Sequence, residues 1–233
     1  PTTTAMTLDT GCASFVTGVA TACRLVDAGA YNSAVVVVSS AMSRIMNASL
    51  PSAPFVGDGA VAAFIGPSPH GTGFVDDEVL TRGDLHGGIL LVAPEQPETP
   101  WYRGDLHHQA LQATHYDPIA SHAMGARAVT RCREVCAPLL ARHQLTPDQI
   151  QFMAVSQTTA WFGAAMAEGL GIPADRVLSH EDHFARFGHL MAASSALNLA
   201  IAEQQGRLQS GDWVLLYSPG AGFTQAAQLM RWV

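Results

Sequence analysis

The chain has 233 residues, 48% hydrophobic and only 13% charged, which is enough apolar sequence for a large α/β interior. A net charge of −7 argues against nucleic acid as the main partner, and no run of eighteen apolar residues reads as a membrane span. Four cysteines without a Cys-x-x-Cys pair, and no charged leader with a cleavage site, fit a cytoplasmic protein in a reducing compartment.

In chain order, the first feature is Leu8-Asp9-Thr10-Gly11-Cys12-Ala13-Ser14-Phe15. Cys12 lies between glycine and small residues, just ahead of a small-residue helix over 13–28 that Gly29 caps. A thiol at a helix N-terminus meets unpaired N–H groups and the positive end of the dipole, which favour a nucleophilic thiolate. The same residues also fit a buried structural cysteine beside a glycine turn. Next comes Ser33-Ala-Val-Val-Val-Val-Ser-Ser40, a β-branched run that reads as a strand buried on both faces. Gly57-Asp-Gly59 then leads into a second strand over 59–65, with Asp58 as a turn residue.

Residues 72–80 and 88–92 read as a strand pair joined by a polar hairpin, and 94–118 as a long loop covering a site. One amphipathic helix is expected over 120–143, carrying half-buried Cys132 and Cys136 and interrupted by Pro138. Thr146-Pro-Asp-Gln149 forms a capping box. A short buried strand over 152–155 and a helix over 160–169 follow, and Ser179-His-Glu-Asp-His183 reads as an exposed turn without metal-ligand spacing. The chain closes with a helix over 190–206 and strands over 212–218 and 223–232. Helix, strand, strand thus occurs twice, once after Cys12 and once after His189, so the fold is built from two related units.

Four ordered blocks resemble the thiolase-fold condensing enzymes, in particular the ketoacyl-acyl-carrier-protein synthase III group and its acyltransferase relatives. They are the Cys12 block, the Val-rich strand with Gly-Asp-Gly-Ala60, the Arg186-Phe-Gly-His-Leu-Met-Ala-Ala-Ser194 segment, and Ser218-Pro-Gly-Ala-Gly-Phe223. The resemblance implies a layered αβαβα fold, with residues 1–70 completing the first half and 71–233 forming the second. Relatives carry roughly one hundred residues ahead of the nucleophile. An N-terminal segment or a companion chain is therefore expected as a partner, in a homodimer or heterodimer.

Residue by residue, the resemblance makes Cys12 the nucleophile and places Ser156 and Thr159 where the family has the histidine and asparagine of its His-Gln-Ala-Asn block. His189 takes the place of the family's second asparagine. The oxyanion donors would be the Cys12 and Ala221 N–H groups, with Gly220, Gly222 and Phe223 lining the substrate. Trp161 stands where some relatives have a basic residue for coenzyme A, which leaves coenzyme A and a carrier-protein arm as equal donors. No cofactor is implied. Decarboxylative condensation needs two donors at an enolate, and one imidazole cannot fill both places. Acyl transfer needs a thiolate, one base and an oxyanion hole. The leading expectation is an acyltransferase, with Cys12 and His189 within a few ångströms of each other and the Ala221 N–H facing the same point. The alternatives are a decarboxylating condensing enzyme using His189, and a non-catalytic partner subunit.

Overall fold

The computed structural model describes residues 3–44, 46, 52–69, 71–92, 112–114 and 117–233. The first helix, α1 (Ser14–Asp27), starts two residues after Cys12 and buries Phe15, Val16, Val19, Ala20 and Ala22. It is followed by the antiparallel pair β1 (Ala34–Ser40) and β2 (Gly59–Ile65), in register from Ala34 opposite Ile65 to Ser40 opposite Gly59. In β1 the two sides differ, because Val36 and Val38 pack on α1 while Val35 and Val37 are 60% and 67% exposed. The reading of a strand buried on both faces is therefore corrected: within this chain only one face of β1 is covered.

β3 (Gly73–Thr81) pairs with the last strand of the chain, and a 3₁₀ turn over Gly83–Gly88 carries the backbone away from it. β4 (Leu90–Val92) pairs instead with β5 (Gln112–Thr114), so the hairpin expected between 72–80 and 88–92 does not form. Most of the long loop expected over 94–118 lies outside the described residues. The single helix expected over 120–143 is two helices, α2 (Pro118–Ala126) and α3 (Ala128–Arg142). They break at Arg127, whose φ of −114° and ψ of 18° leave the helical range just after Gly125, a weak helix former. Asp117 caps α2 by accepting the N–H groups of Ile119 and Ala120. Cys132 and Cys136 are fully buried rather than half-buried, because α3 is covered along their whole face.

β6 (Phe152–Val155), α4 (Phe162–Leu170), the single turn α5 (Phe184–Phe187), α6 (Ser194–Gln204), β7 (Trp213–Gly220) and β8 (Thr224–Arg231) complete the chain. They build a four-stranded mixed sheet in the order β3-β8-β7-β6, in which only β6 and β7 run parallel. Strand periodicity divides its side chains between two cores. Met153, Val155, Leu215, Tyr217, Ala227 and Leu229 face α3 and α4. Phe152, Ala154, Val214, Leu216 and Ala226 face α1, α6 and the inner side of β1–β2. The layers are thus helices, sheet, helices, sheet, with α1 touching α6 in the middle. No helix among the described residues is long and apolar enough to cross a membrane.

Candidate active site

Two tight backbone approaches bring the site together. Gly11 has φ of +62°, and its N–H is held by the Asp9 carboxylate at 2.8 Å. This turn lets the chain rise directly into α1 with Cys12 at the helix mouth. The β7–β8 turn lies against it: a Cβ on Gly220 would sit 2.0 Å from the Thr10 carbonyl oxygen. Only glycine permits that contact, and it sets the Ala221 N–H beside Cys12. The second approach holds His189. Gly188, with φ of +67°, packs against Phe55 so closely that a Cβ would meet its carbonyl oxygen at 2.8 Å. The His189 N–H donates to the Phe55 carbonyl at 2.7 Å, and the His189 carbonyl accepts the Gly57 N–H at 3.0 Å.

These anchors place His189 Nε2 3.5 Å from Cys12 Sγ. On the other side of the ring, Nδ1 lies 3.5 Å from Ser194 Oγ, which also accepts the Leu190 N–H at 3.0 Å. Burial governs the protonation of both partners. Loss of hydration pushes the Cys12 thiol up to about 11, although the N–H groups of Ala221 and Cys12 itself favour the thiolate. Burial likewise lowers His189 to about 4, against the Gln157 carbonyl, which favours the protonated ring, and with a small further push from His183. Loss of hydration thus outweighs the two N–H groups that favour the thiolate, opposite in direction to the acidified thiol expected at a helix N-terminus. At neutral pH the resting pair is a thiol beside a neutral imidazole.

Ser156 is fully buried, and its hydroxyl donates to the Met191 carbonyl at 3.2 Å. Thr159 lies in the turn before α4 with its Oγ1 buried and unpartnered, and Trp161 is 55% exposed. Gly222 is exposed beyond the Ala221 turn. Phe223 packs with Leu85 and Ala120 beneath the Arg131 guanidinium, which stands 5.2 Å from the ring centroid. The structure thus brings Cys12, His189, Ala221 and Gly220 to one point. Ser156 stands one residue contact away, and Thr159 and Trp161 lie outside it. A cavity of about 490 Å³ lies on the far side of the His189 backbone, lined by Phe55, Ala160, Phe184, Arg186 and Gly188 among others and touching none of Cys12, His189 and Ala221.

Two groups escaped sequence reasoning. Met191 Sδ lies 3.5 Å from Cys12 Sγ, on a backbone with φ of +52°. His183, expected in an exposed turn, is fully buried; its Nδ1 is 2.5 Å from Asn198 Oδ1, and the Asn198 amide donates to the Val155 carbonyl. The signal available for His183 was the polar Asn198 in the middle of an apolar helix pattern. Nothing local in the sequence marks Met191.

Comparison with known proteins shows what the chain resembles in sequence and in fold. Residues 6–83 match the family model described as 3-oxoacyl-[acyl-carrier-protein] synthase III, and residues 140–232 match the model of its C-terminal part. The β-ketoacyl-[acyl-carrier-protein] synthase III of Thermosynechococcus vestitus is 30% identical over 231 residues, covering 98% of this chain and 68% of that protein. The protein of the same name from Solibacter usitatus is 31% identical over 225 residues, or 95% of this chain and 66% of its own length. The chain thus spans about two thirds of the length of these relatives. Among solved structures, synthase III from Thermus thermophilus is similar with a TM-score of 0.81 at 28% identity, covering 96% of this chain and 66% of that one. The Pseudomonas aeruginosa structure superposes with a TM-score of 0.83 at 24% identity, over 97% and 66% of the two chains, and carries the likeness in fold alone.

Proposed function

The chain belongs to the 3-oxoacyl-acyl-carrier-protein synthase III family, and from that premise we propose that it is an acyltransferase working through an acyl-enzyme on Cys12. The observation that carries this reading is the pairing of Cys12 Sγ with His189 Nε2 at 3.5 Å beside the Ala221 N–H. Because the resting pair is neutral, the thiol proton passes to His189 as sulfur attacks the thioester carbonyl. The developing oxyanion is met by the backbone N–H groups of Ala221 and Cys12. When the carbonyl re-forms, the donor thiolate leaves and takes the proton back from His189. Sulfur of Cys12 is then acylated and one free donor thiol is released. In the second half an acceptor hydroxyl, amine or thiol gives its proton to His189, attacks the acyl carbon and expels the Cys12 thiolate, which recovers that proton.

The donor in this reading is a thioester on a carrier-protein arm or on coenzyme A, and the metabolic setting is fatty-acid, polyketide or related biosynthesis. Thr159 and Trp161, at the start of α4 beside Ala160 in the cavity wall, are the residues proposed to meet the arm. Gly220, Gly222 and Phe223, in and after the turn that carries Ala221, are proposed to meet the substrate on the Cys12 side. The two halves are proposed to meet between β2 and β3, a boundary supported by β1 and β2 pairing only with each other while β3 joins the second sheet. The exposed apolar side chains Val35, Val37 and Phe64 support an assembly, homodimeric or with a companion chain, that covers the outer face of β1–β2.

Intact-protein mass spectrometry with acyl thioesters tests the reading. A single acyl adduct is expected on the wild type and none on Cys12→Ala; equal adducts on both would reject it. The names of the relatives favour a second reading, decarboxylating condensation. Against it stands the Ser156 hydroxyl, committed to the Met191 carbonyl and so a poor second enolate donor. Labelled carbon dioxide released from a malonyl thioester in a Cys12-dependent way would favour condensation.

A further inference from the structure

We propose that Met191 determines which acyl groups Cys12 can carry, admitting straight-chain donors and rejecting those branched at the α-carbon. The proposal rests on the acyl-enzyme reading and extends it to the class of donor. Three groups surround the sulfur. His189 Nε2 lies 3.5 Å away, the Ala221 N–H points at it, and Met191 Sδ lies 3.5 Å away. The first two are committed to proton transfer and to the carbonyl oxygen. An acyl carbon attached to Sγ that turns its oxygen toward Ala221 leaves its α-carbon to share space with the methionine side chain. Two α-hydrogens fit beside a thioether in van der Waals contact with the sulfur; a methyl branch displaces it.

The wall is held in place. Residues 189 and 191 both reach Cys12 because Met191 has φ of +52°, a left-handed turn that a side-chain-bearing residue seldom adopts. Its carbonyl accepts the Ser156 hydroxyl at 3.2 Å. The preceding Leu190 is buried, its N–H held by Ser194 Oγ at 3.0 Å and its carbonyl by the Ala193 N–H at 3.1 Å. Methionine adapts by rotating its thioether, so the selection is graded rather than absolute. That suits a discrimination of one methyl group, about 10- to 200-fold.

The experiment compares acylation of Cys12 by butyryl and isobutyryl N-acetylcysteamine thioesters, read by mass spectrometry in wild type, Met191→Ala, Met191→Gly and Met191→Leu. Glycine suits the positive φ, so that variant keeps the backbone while removing the wall. The wild type should favour butyryl about 10- to 200-fold; alanine and glycine should lower that preference at least about tenfold, and leucine should retain most of it. A second arm alkylates Cys12 with iodoacetamide and with 2-iodopropanamide, the ratio being divided by that for free cysteine. If no donor acylates Cys12 but the alkylation preference still relaxes in Met191→Ala and Met191→Gly, the acyl-enzyme reading fails and the steric assignment stands. Preferences that stay within about twofold of wild type in both small variants overturn the proposal.

Discussion

Cys12 stands ahead of α1 and His189 ahead of α6, each directly after a glycine of positive φ, yet they reach the site by different means. Gly11 and Cys12 run straight into α1, so the thiol's position follows from local sequence. Gly188 and His189 are separated from α6 by the left-handed Met191 and a 3₁₀ turn over Met191–Ala193, and the His189 backbone is fixed by Phe55 and Gly57, far away in sequence. One partner is placed by its own helix, the other by a long-range backbone contact. Burial leaves the thiol neutral, unlike the thiolate expected at a helix N-terminus, and leaves the imidazole neutral, as a general base requires.

The largest expected effect separates the partners by role. His189→Ala should slow acylation of Cys12 by about 10²- to 10⁴-fold, the range of a lost general base, while the thioester's KM stays within a few-fold. Single-turnover kinetics read this; a purely structural histidine would instead change KM and thermal stability with little change in the chemical step.

Burial of the neutral ring predicts a pH-dependent stability. His189 falls from an ordinary value near 6.5 to about 4 on folding, so between those values the unfolded chain binds the proton and the folded one does not. That contribution is fully present above about pH 6.5 and is lost as pH falls toward 4, amounting to about 3 kcal/mol at most. Denaturant melts across this window should show stability rising with pH, and His189→Gln should flatten the slope. In activity, the same pair predicts no thiolate–imidazolium limb near neutrality. Acylation kcat/KM should be level from about pH 6 to about pH 9, and a steep rise there would contradict a neutral pair.

The contact of the β7–β8 turn with the Cys12 loop can be strained directly. Gly220→Ala pushes a methyl group toward the Thr10 carbonyl and should cost about 1–3 kcal/mol of stability, together with a disproportionate loss of acylation because Ala221 moves with it. Gly29→Ala, at a glycine with open space around it but φ of +71°, should cost only about 1 kcal/mol and leave acylation unchanged. Ser156→Ala removes a single hydrogen bond to Met191 and should cost about 1 kcal/mol with less than about tenfold in rate. A loss of about 10²-fold or more would place Ser156 among the oxyanion donors instead.

Much of the fold was legible because its signals are local. The helix after Cys12, both strands of β1–β2, the buried strand β6 and the closing strands follow from apolar periodicity and glycine punctuation. Cys12 stood out through the glycine ahead of it and the helix behind it, whereas His189 stood out only through the resemblance, which set it at the family's second asparagine. What failed were statements about which elements meet. Residues 72–80 have the pattern of a hairpin strand, but the β8 edge, in register from Gly73 opposite Arg231 to Thr81 opposite Thr224, takes them instead. His183 sits among acidic residues that read as solvated, yet Asn198 draws it inside.

By itself, the sequence determined most of the order of the elements and the residues ahead of α1 and α6, because propensity, periodicity and glycine turns act within a few residues. Only the tertiary structure decided that Met191 touches the sulfur, that Ser156 holds Met191, and that thiol and imidazole rest uncharged. Those outcomes depend on distances between segments far apart in the chain and on the exclusion of water where they meet. No local pattern carries either quantity.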